Sequence, residues 1–236
     1  VIEDGMVHFR DAAALWGMTS RSTIGSVLRK QEHSSGLRTI MRIGRAGERQ
    51  VSYSCVITET YRHFGRLGLG AVFGSKLLKG IVISGRRSLE PADKRLFRKT
   101  YQSIYKSAAE SELMEKYHQL GTAVNIAPLN TLGGLPTRNL QEGRFEGASR
   151  ISGEAMAEDF LGRRVACAHC PVACVHLAAL RSPYPNDPYF YKTSMIGYDY
   201  EPIYSMGSML GIGRPEDVLC LIDEAELQGL DVMSAG

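Results

Sequence analysis

The chain has 236 residues, 44% of them apolar and 22% charged, with a formal charge of +3. A chain of this length buries roughly 70–75% of its extended surface, enough for one large domain or two small ones. So small a charge, with no cluster of basic and aromatic residues, argues against nucleic acid, and no apolar run approaches the ~20 residues that cross a bilayer. Five cysteines, three of them crowded together, argue against a secreted disulfide framework and for a reducing, cytoplasmic setting. The opening VIEDGMVHFRD has neither a basic nor an apolar leader region. A first residue other than Met and a tail, DVMSAG, with no closing element give the expectation that the chain is a piece of something longer.

The pattern predicts an α+β fold, with a β-rich part over residues 1–88 and a mainly helical domain over 89–236. LRTIMRI (37–43) and VSYSCVI (51–57) are rich in β-branched and aromatic residues, and the Gly and charges of GRAGERQ (44–50) read as the turn between them. GLGAVFGSKLLKGIVISG (68–85) reads as a short helix and then a strand, joined at Gly80. After Gly85 the period becomes helical. Pro91 can open a long helix whose Phe97, Tyr101, Ile104 and Ala108 form one apolar stripe. Further helices are expected at 152–161, with Ser152 as N-cap, and at 215–228, with Pro215 in the first turn and Gly229 just past the end. Between them, RSPYPNDPYFY (181–191) reads as a Pro-rich loop.

VACAHCPVACVH (165–176) places Cys167, Cys170 and Cys174 at C-x2-C-x3-C, a spacing that lets thiolates converge on one metal centre. Structural zinc normally takes four protein ligands, and a second CxxC about 15–20 residues away is missing. His169 or His176 would have to fold back to complete a zinc site. Iron–sulfur clusters often combine a short cysteine run with one remote ligand, and Pro171 suits a sharp turn around a cluster. A four-iron cluster is therefore the better reading, with buried free thiols and zinc as alternatives. YRHFGRLGLGAVFGSK (61–76) couples arginines to closely spaced glycines. Such a loop can cradle an anion, since glycine lets backbone amides approach and arginine forks onto phosphate, although spacing alone favours tight chain packing.

Taken together, GLGAVFGSKLLKGIVISG, NTLGGLPTRNLQEGRFEGASRISGEAM (130–156) and CAHCPVAC resemble, in order and spacing, the tungsten- or molybdenum-pterin aldehyde ferredoxin oxidoreductases. The resemblance covers essentially the whole chain as the end of the family's β-rich first domain and the start of its helical second domain. It implies that Cys167, Cys170 and Cys174 are three ligands of a 4Fe–4S cluster whose fourth ligand lies beyond Gly236. Cys55 and Cys220 are then packing residues. Arg62, His63 and Gly65 fall where the family's glycine-rich loop meets the pterin phosphates, His63 through its carbonyl toward a bridging Mg2+. The family is more Gly-rich where this chain has His63, Phe64, Leu67 and Leu69. ELQGLD (226–231) matches a pterin-recognising segment, with Glu226 in place of an aspartate and with Gly229, Leu230 and Asp231 intact. Glu201, in GYDYEPIYSMGSMLGIG (197–213), matches a glutamate near the metal and is the implied acid/base. Without the resemblance it reads as a solvated loop glutamate. The implied activity is oxidation of an aldehyde on a tungsten (or molybdenum) bis-pyranopterin, with electrons passing to ferredoxin or an electron-transfer subunit. Related members act on other substrates, as benzoyl-CoA reductase catalytic subunits do. A pterin-free iron–sulfur module is the rival reading, and homo-oligomerisation stays open.

Overall fold

β-branched residues place the first sheet in the computed structural model, which describes residues 1–20, 23–31, 38–58, 63–85 and 90–236. In chain order the elements are β1 (Ile2–Glu3), β2 (Met6–Val7), α1 (Thr23–Gln31), β3 (Arg38–Arg42), α2 (Arg45–Glu48), β4 (Val56–Thr58), β5 (His63–Phe64), α3 (Leu69–Ser75) and β6 (Gly80–Ser84). The sheet order is β2-β1-β6-β3-β4-β5. β1 runs parallel to β6, and the other pairs are antiparallel. Ile40 and Val82 pair across β3 and β6 and are buried with Ile24, Ile43, Val56 and Ile57.

Two expectations for this region need correction. Within 44–50, Arg45–Glu48 form the short helix α2 rather than a simple turn, closed by Glu48 N–H to the Gly44 carbonyl at 3.2 Å and Arg49 N–H to the Arg45 carbonyl at 3.0 Å. Strand structure in 51–57 is confined to its end, since Ser54 N–H turns back to the Val51 carbonyl and Cys55 N–H leaves the ladder for the Gly229 carbonyl. The predicted helix and strand within 68–85 are found as α3 and β6. Glycine decides how α2 and α3 meet. A Cβ on Gly74 would lie 1.9 Å from the Gly47 carbonyl oxygen, and one on Gly70 2.7 Å from that of Cys55. Beneath these helices Lys79, 2% exposed, donates to the Met18 carbonyl at 3.0 Å and pairs with Glu48, whose carboxylate also accepts from Gly17 N–H at 2.9 Å.

The remaining elements are α4 (Lys94–Ala109), α5 (Glu112–Leu120), α6 (Ile126–Leu132), α7 (Gly153–Asp159), β7 (Leu161–Val165), β8 (Val175–Tyr184), β9 (Asp187–Tyr198), α8 (Tyr200–Met206), α9 (Pro215–Gln228) and α10 (Val232–Ala235). The fold class is α+β, as the sequence indicates. α4 starts at Lys94, not at Pro91, because Asp93 accepts the N–H groups of Arg95 and Leu96 at 2.9 Å as its N-cap. Its expected apolar stripe exists, yet α4 buries no residue. Ser152 caps α7, which stops at Asp159 short of the expected 161 because Leu161 already pairs in β7, and Gly229 follows α9 with a φ of +80°.

β7-β8-β9 form an antiparallel sheet inside the stretch expected to be mainly helical. Residues 181–191 are the outer part of the β8–β9 hairpin, not a loop. Tyr184, Tyr189, Phe190 and Tyr191 favour strands, and a two-stranded tip tolerates proline where no ladder N–H is needed. The pairing shifts register at Pro183 and Tyr184.

The chain divides into two units, Val1–Leu89 with Glu224–Ala235, and Glu90–Asp223 with Gly236. The first is centred on the six-stranded sheet. The second is centred on Val124, Ile126, Leu135, Ile151, Met156, Leu177, Ile196, Ile203 and Leu219. Among the described residues no helix is long and apolar enough to cross a membrane.

Candidate cofactor and metal sites

Two groups of the sequence-predicted residues are each gathered within one unit. The first forms where the glycine-rich loop meets the chain after α9. Gly65, Leu67 and Gly68 have φ values of +65°, +66° and +101°, so the backbone turns sharply into α3. The Gly229 carbonyl accepts from Cys55 N–H at 2.9 Å, and Asp231 N–H donates to the Tyr53 carbonyl at 2.9 Å. These bonds carry residues 226–231 to the glycine-rich loop. There His63 Nε2 stands 3.8 Å from the Glu226 carboxylate, itself only 4% exposed. Asp231, equally buried, accepts Arg66 Nε at 2.9 Å on both oxygens and Ser234 Oγ at 2.7 Å. Leu230 is half-buried and bridges to Ser54. Arg62 lies outside the described residues. No local signal marks Arg66 as the partner of Asp231, because the two are 165 residues apart in the chain.

The structure gives the glycines two duties. Gly65 and Gly68 supply left-handed turns, which bring amides toward a ligand at low cost. Gly70 and Gly74 serve helix packing. Glu226 and His63 offer acceptor and donor chemistry that suits a heterocycle with amino groups, and Asp231 is committed to holding Arg66 and α10.

The second group is the cysteine loop. Cys167, Cys170 and Cys174 all sit in residues 166–174, between β7 and β8, with Cys167 exposed and the other two half-buried. His169 and Ala173, each directly before a cysteine, have φ values of +63° and +49°. A non-glycine residue holds that conformation only where its surroundings enforce it. One bond within the loop, Cys170 N–H to the Cys167 carbonyl at 3.1 Å, closes the turn at His169, and further contacts come from outside the loop. His118 Nδ1 donates to the Val172 carbonyl at 2.7 Å, while the His118 carbonyl accepts Arg164 Nε and His176 Nε2, each at 2.9 Å. With Nε2 donating, His176 Nδ1 accepts from the Tyr198 hydroxyl at 3.3 Å. Burial pushes His176 below its ordinary 6.5, so the neutral imidazole this chain of bonds requires is the favoured form. Among the described residues no three His, Cys, Asp or Glu side chains are clustered closely enough to hold a metal ion. The donor set is nonetheless thiolate, soft and solvent-accessible, and suits an iron–sulfur cluster better than a hard cation. His176, weighed as a zinc ligand in the sequence, is buried and tied to His118 and Tyr198 instead.

Glu201 occupies the first turn of α8 and is exposed. Its neighbour Tyr200 is fixed by its N–H to Thr122 Oγ1 at 2.9 Å, and Thr122 also bonds Asp199 at 3.2 Å. Cys55 is fully buried, as a packing residue should be, whereas Cys220 faces solvent from α9.

Residues 1–85 match the N-terminal domain of aldehyde ferredoxin oxidoreductase, and residues 99–236 match domains 2 & 3 of the same family. The chain belongs to the aldehyde ferredoxin oxidoreductase family. It is thus a member of a family of oxidoreductases. It is 35% identical to a tungsten-containing aldehyde ferredoxin oxidoreductase of Thermococcus kodakarensis and 36% identical to one of Pyrococcus abyssi, over its full length and 37% of theirs. An aliphatic sulfonate oxidoreductase, WOR-like subunit, of Pyrococcus furiosus is 28% identical over 98% of the chain and 38% of its own length. Among solved structures, the active site complex BamBC of benzoyl coenzyme A reductase with 1,5 dienoyl-CoA superposes with a TM-score of 0.69 at 19% identity, covering 98% of this chain and 35% of that one. That likeness concerns the fold. The chain therefore spans a little over a third of the length of these relatives.

Proposed function

We propose that this aldehyde ferredoxin oxidoreductase family chain is part of a tungstopterin, or molybdopterin, iron–sulfur enzyme that oxidises aldehydes to carboxylic acids and reduces ferredoxin. The observation that carries the reading is end-to-end similarity, at 35–36% identity, to relatives named as tungsten-containing aldehyde ferredoxin oxidoreductases. The sulfonate oxidoreductase subunit is more distant at 28%, which favours the aldehyde over that substrate. The reaction converts an aldehyde and water to a carboxylic acid with release of two protons and two electrons, and two ferredoxin molecules take one electron each. The bound tungsten or molybdenum supplies the two-electron chemistry and the 4Fe–4S cluster the one-electron relay.

In this reading residues 1–88 are the end of the pterin-binding domain, and residues 89–236 begin the domain that carries the cluster. Cys167, Cys170 and Cys174 hold the cluster together with a ligand from outside this chain. Arg62, His63 and Gly65 are assigned to the pterin phosphates and their Mg2+, and Glu226, Gly229, Leu230 and Asp231 to recognition of the pterin, Asp231 by fixing Arg66. Glu201 moves the proton. Five cysteines, three of them crowded in one short run, agree with a reducing cytoplasm as its location. The test is metal and cofactor analysis of the natural full-length protein with an aldehyde-dependent viologen assay. Tungsten or molybdenum, about four irons and a fluorescent pterin extract are expected. Iron without pterin would establish the electron-transfer module, and a metal-loaded enzyme inert to every aldehyde would point to another substrate.

A further inference from the structure

We infer that the basic face of α4 is the docking surface for an acidic one-electron carrier protein. This rests on the oxidoreductase reading above and deepens it by naming where the electron acceptor binds. α4 contains no acidic residue and five cations, Lys94, Arg95, Arg98, Lys99 and Lys106. At about 100° per residue the first four of these fall on one side of its first two turns, and they line one shallow groove. Basic and aromatic residues that show no cluster along the sequence are brought together on the surface of this helix. Phe97 stacks on Tyr101 at 6.3 Å between ring centroids, and Tyr101 meets Tyr105 at 5.8 Å. Phe97 is 55% exposed and Ile104 64%.

Among the described residues, three of the five cations make no ion pair within the chain. The ion pairs of α4 lie at its ends, Lys94 to Glu90 at 3.9 Å and Lys106 to Glu110 at 3.8 Å, both well exposed. Arg95, Arg98 and Lys99 pair with no carboxylate among the described residues. Exposed pairs contribute little stability, so like charges crowded on one helix are a cost to folding that these two pairs offset only slightly.

Position supplies the second observation. The Tyr101 ring meets His169 edge-on at 6.1 Å, and His169 lies between Cys167 and Cys170. The basic face thus borders the loop assigned to the redox group. Transient electron-transfer interfaces are small, and their charges set the encounter rate and orientation more than the final affinity. Glu110, Glu112 and Glu115, which line a pocket with Pro171 and Val172 of that loop, carry the opposite sign and steer an acidic partner toward the basic first turns of α4. A basic amphipathic helix also suits an anionic lipid surface or a phosphate polymer. Neither accounts for the contact with the cysteine loop, so the carrier protein is the favoured occupant.

The experiment uses the natural full-length protein, a purified acidic ferredoxin, phosphatidylserine vesicles and a single-stranded oligonucleotide. One variant combines Arg95→Glu, Arg98→Glu and Lys99→Glu, and a second carries Gln at the same positions. The expected result is a rise of about tenfold or more in both Kd and KM for ferredoxin in the Glu variant, a smaller rise with Gln, and a flatter salt dependence. Viologen-linked turnover stays unchanged. Unchanged ferredoxin affinity overturns the proposal, as does a wild-type protein that binds no ferredoxin at low salt. Loss confined to vesicle or oligonucleotide binding, or amide protection of α4 in the free full-length protein, overturns it in favour of a lipid, nucleic-acid or intrachain occupant. A protein that binds ferredoxin through α4 but oxidises no aldehyde keeps the docking surface and refutes the aldehyde reading instead.

Discussion

Cys55 shows how burial sets the chemistry of a single residue. Its thiol donates to the Gly229 carbonyl at 3.6 Å and is pushed up from 9.0 to about 12, first by burial and then by the nearby Asp231 and Glu226 carboxylates. Because the folded value lies above the unfolded one, the stability this thiol contributes is complete below pH 9 and is lost as the pH climbs toward 12. The unfolding midpoint should fall over that window, and Cys55→Val should flatten the fall. Mild alkylation of the cofactor-free protein at neutral pH, read by peptide mass spectrometry, should mark the exposed Cys167 and Cys220 and leave Cys55 untouched until the protein unfolds. Glu201 is the opposite case, an exposed carboxylate whose proposed role depends on substrate and cofactor beside it. Glu201→Gln should keep metal and pterin bound while turnover falls by about 10²–10⁴-fold and the pH profile loses one limb. Near-normal turnover with an unchanged profile would assign the proton transfer to another residue.

Elements in the first unit are set by backbone approach as much as by apolar pattern. α2 and α3 touch through glycines, so even one methyl matters. Gly74→Ala should destabilise the protein by about 1–3 kcal/mol in denaturant unfolding, since its Cβ would stand 1.9 Å from a backbone carbonyl that has no rotamer to change. A cost near zero would mean that α2 shifts freely over α3. The same physics separates the helices that the sequence located well from the strands it did not. α9 runs over its expected span because Pro215 and Gly229 act locally. The β8–β9 hairpin was hidden by its prolines, because a strand depends on a partner whose register is not local information.

At the scale of the whole molecule, residues 224–235 return to the unit formed by the first 89, and one charged contact helps to hold them there. Asp231→Asn should weaken the bond to Arg66 and cost about 1–2 kcal/mol, less than a fully buried pair because Arg66 is 55% exposed on its side chain. Amide exchange should quicken in α10 and around Cys55, while β7–β9 should not change. Equal exchange throughout would show that this contact does not close the unit. The sequence by itself determined the α+β class, the start of α7, both ends of α9, the cysteine run and the family, because caps, periodicity and short motifs are encoded within a few residues. Only the tertiary structure decided that Arg66 serves Asp231, that His118, Arg164 and His176 brace the cysteine loop, and that the stripe of α4 stays exposed beside it. Each of these joins residues far apart in the chain or concerns which surface is left uncovered, and such facts exist only once hydrogen-bonding partners and apolar faces have competed for the same space.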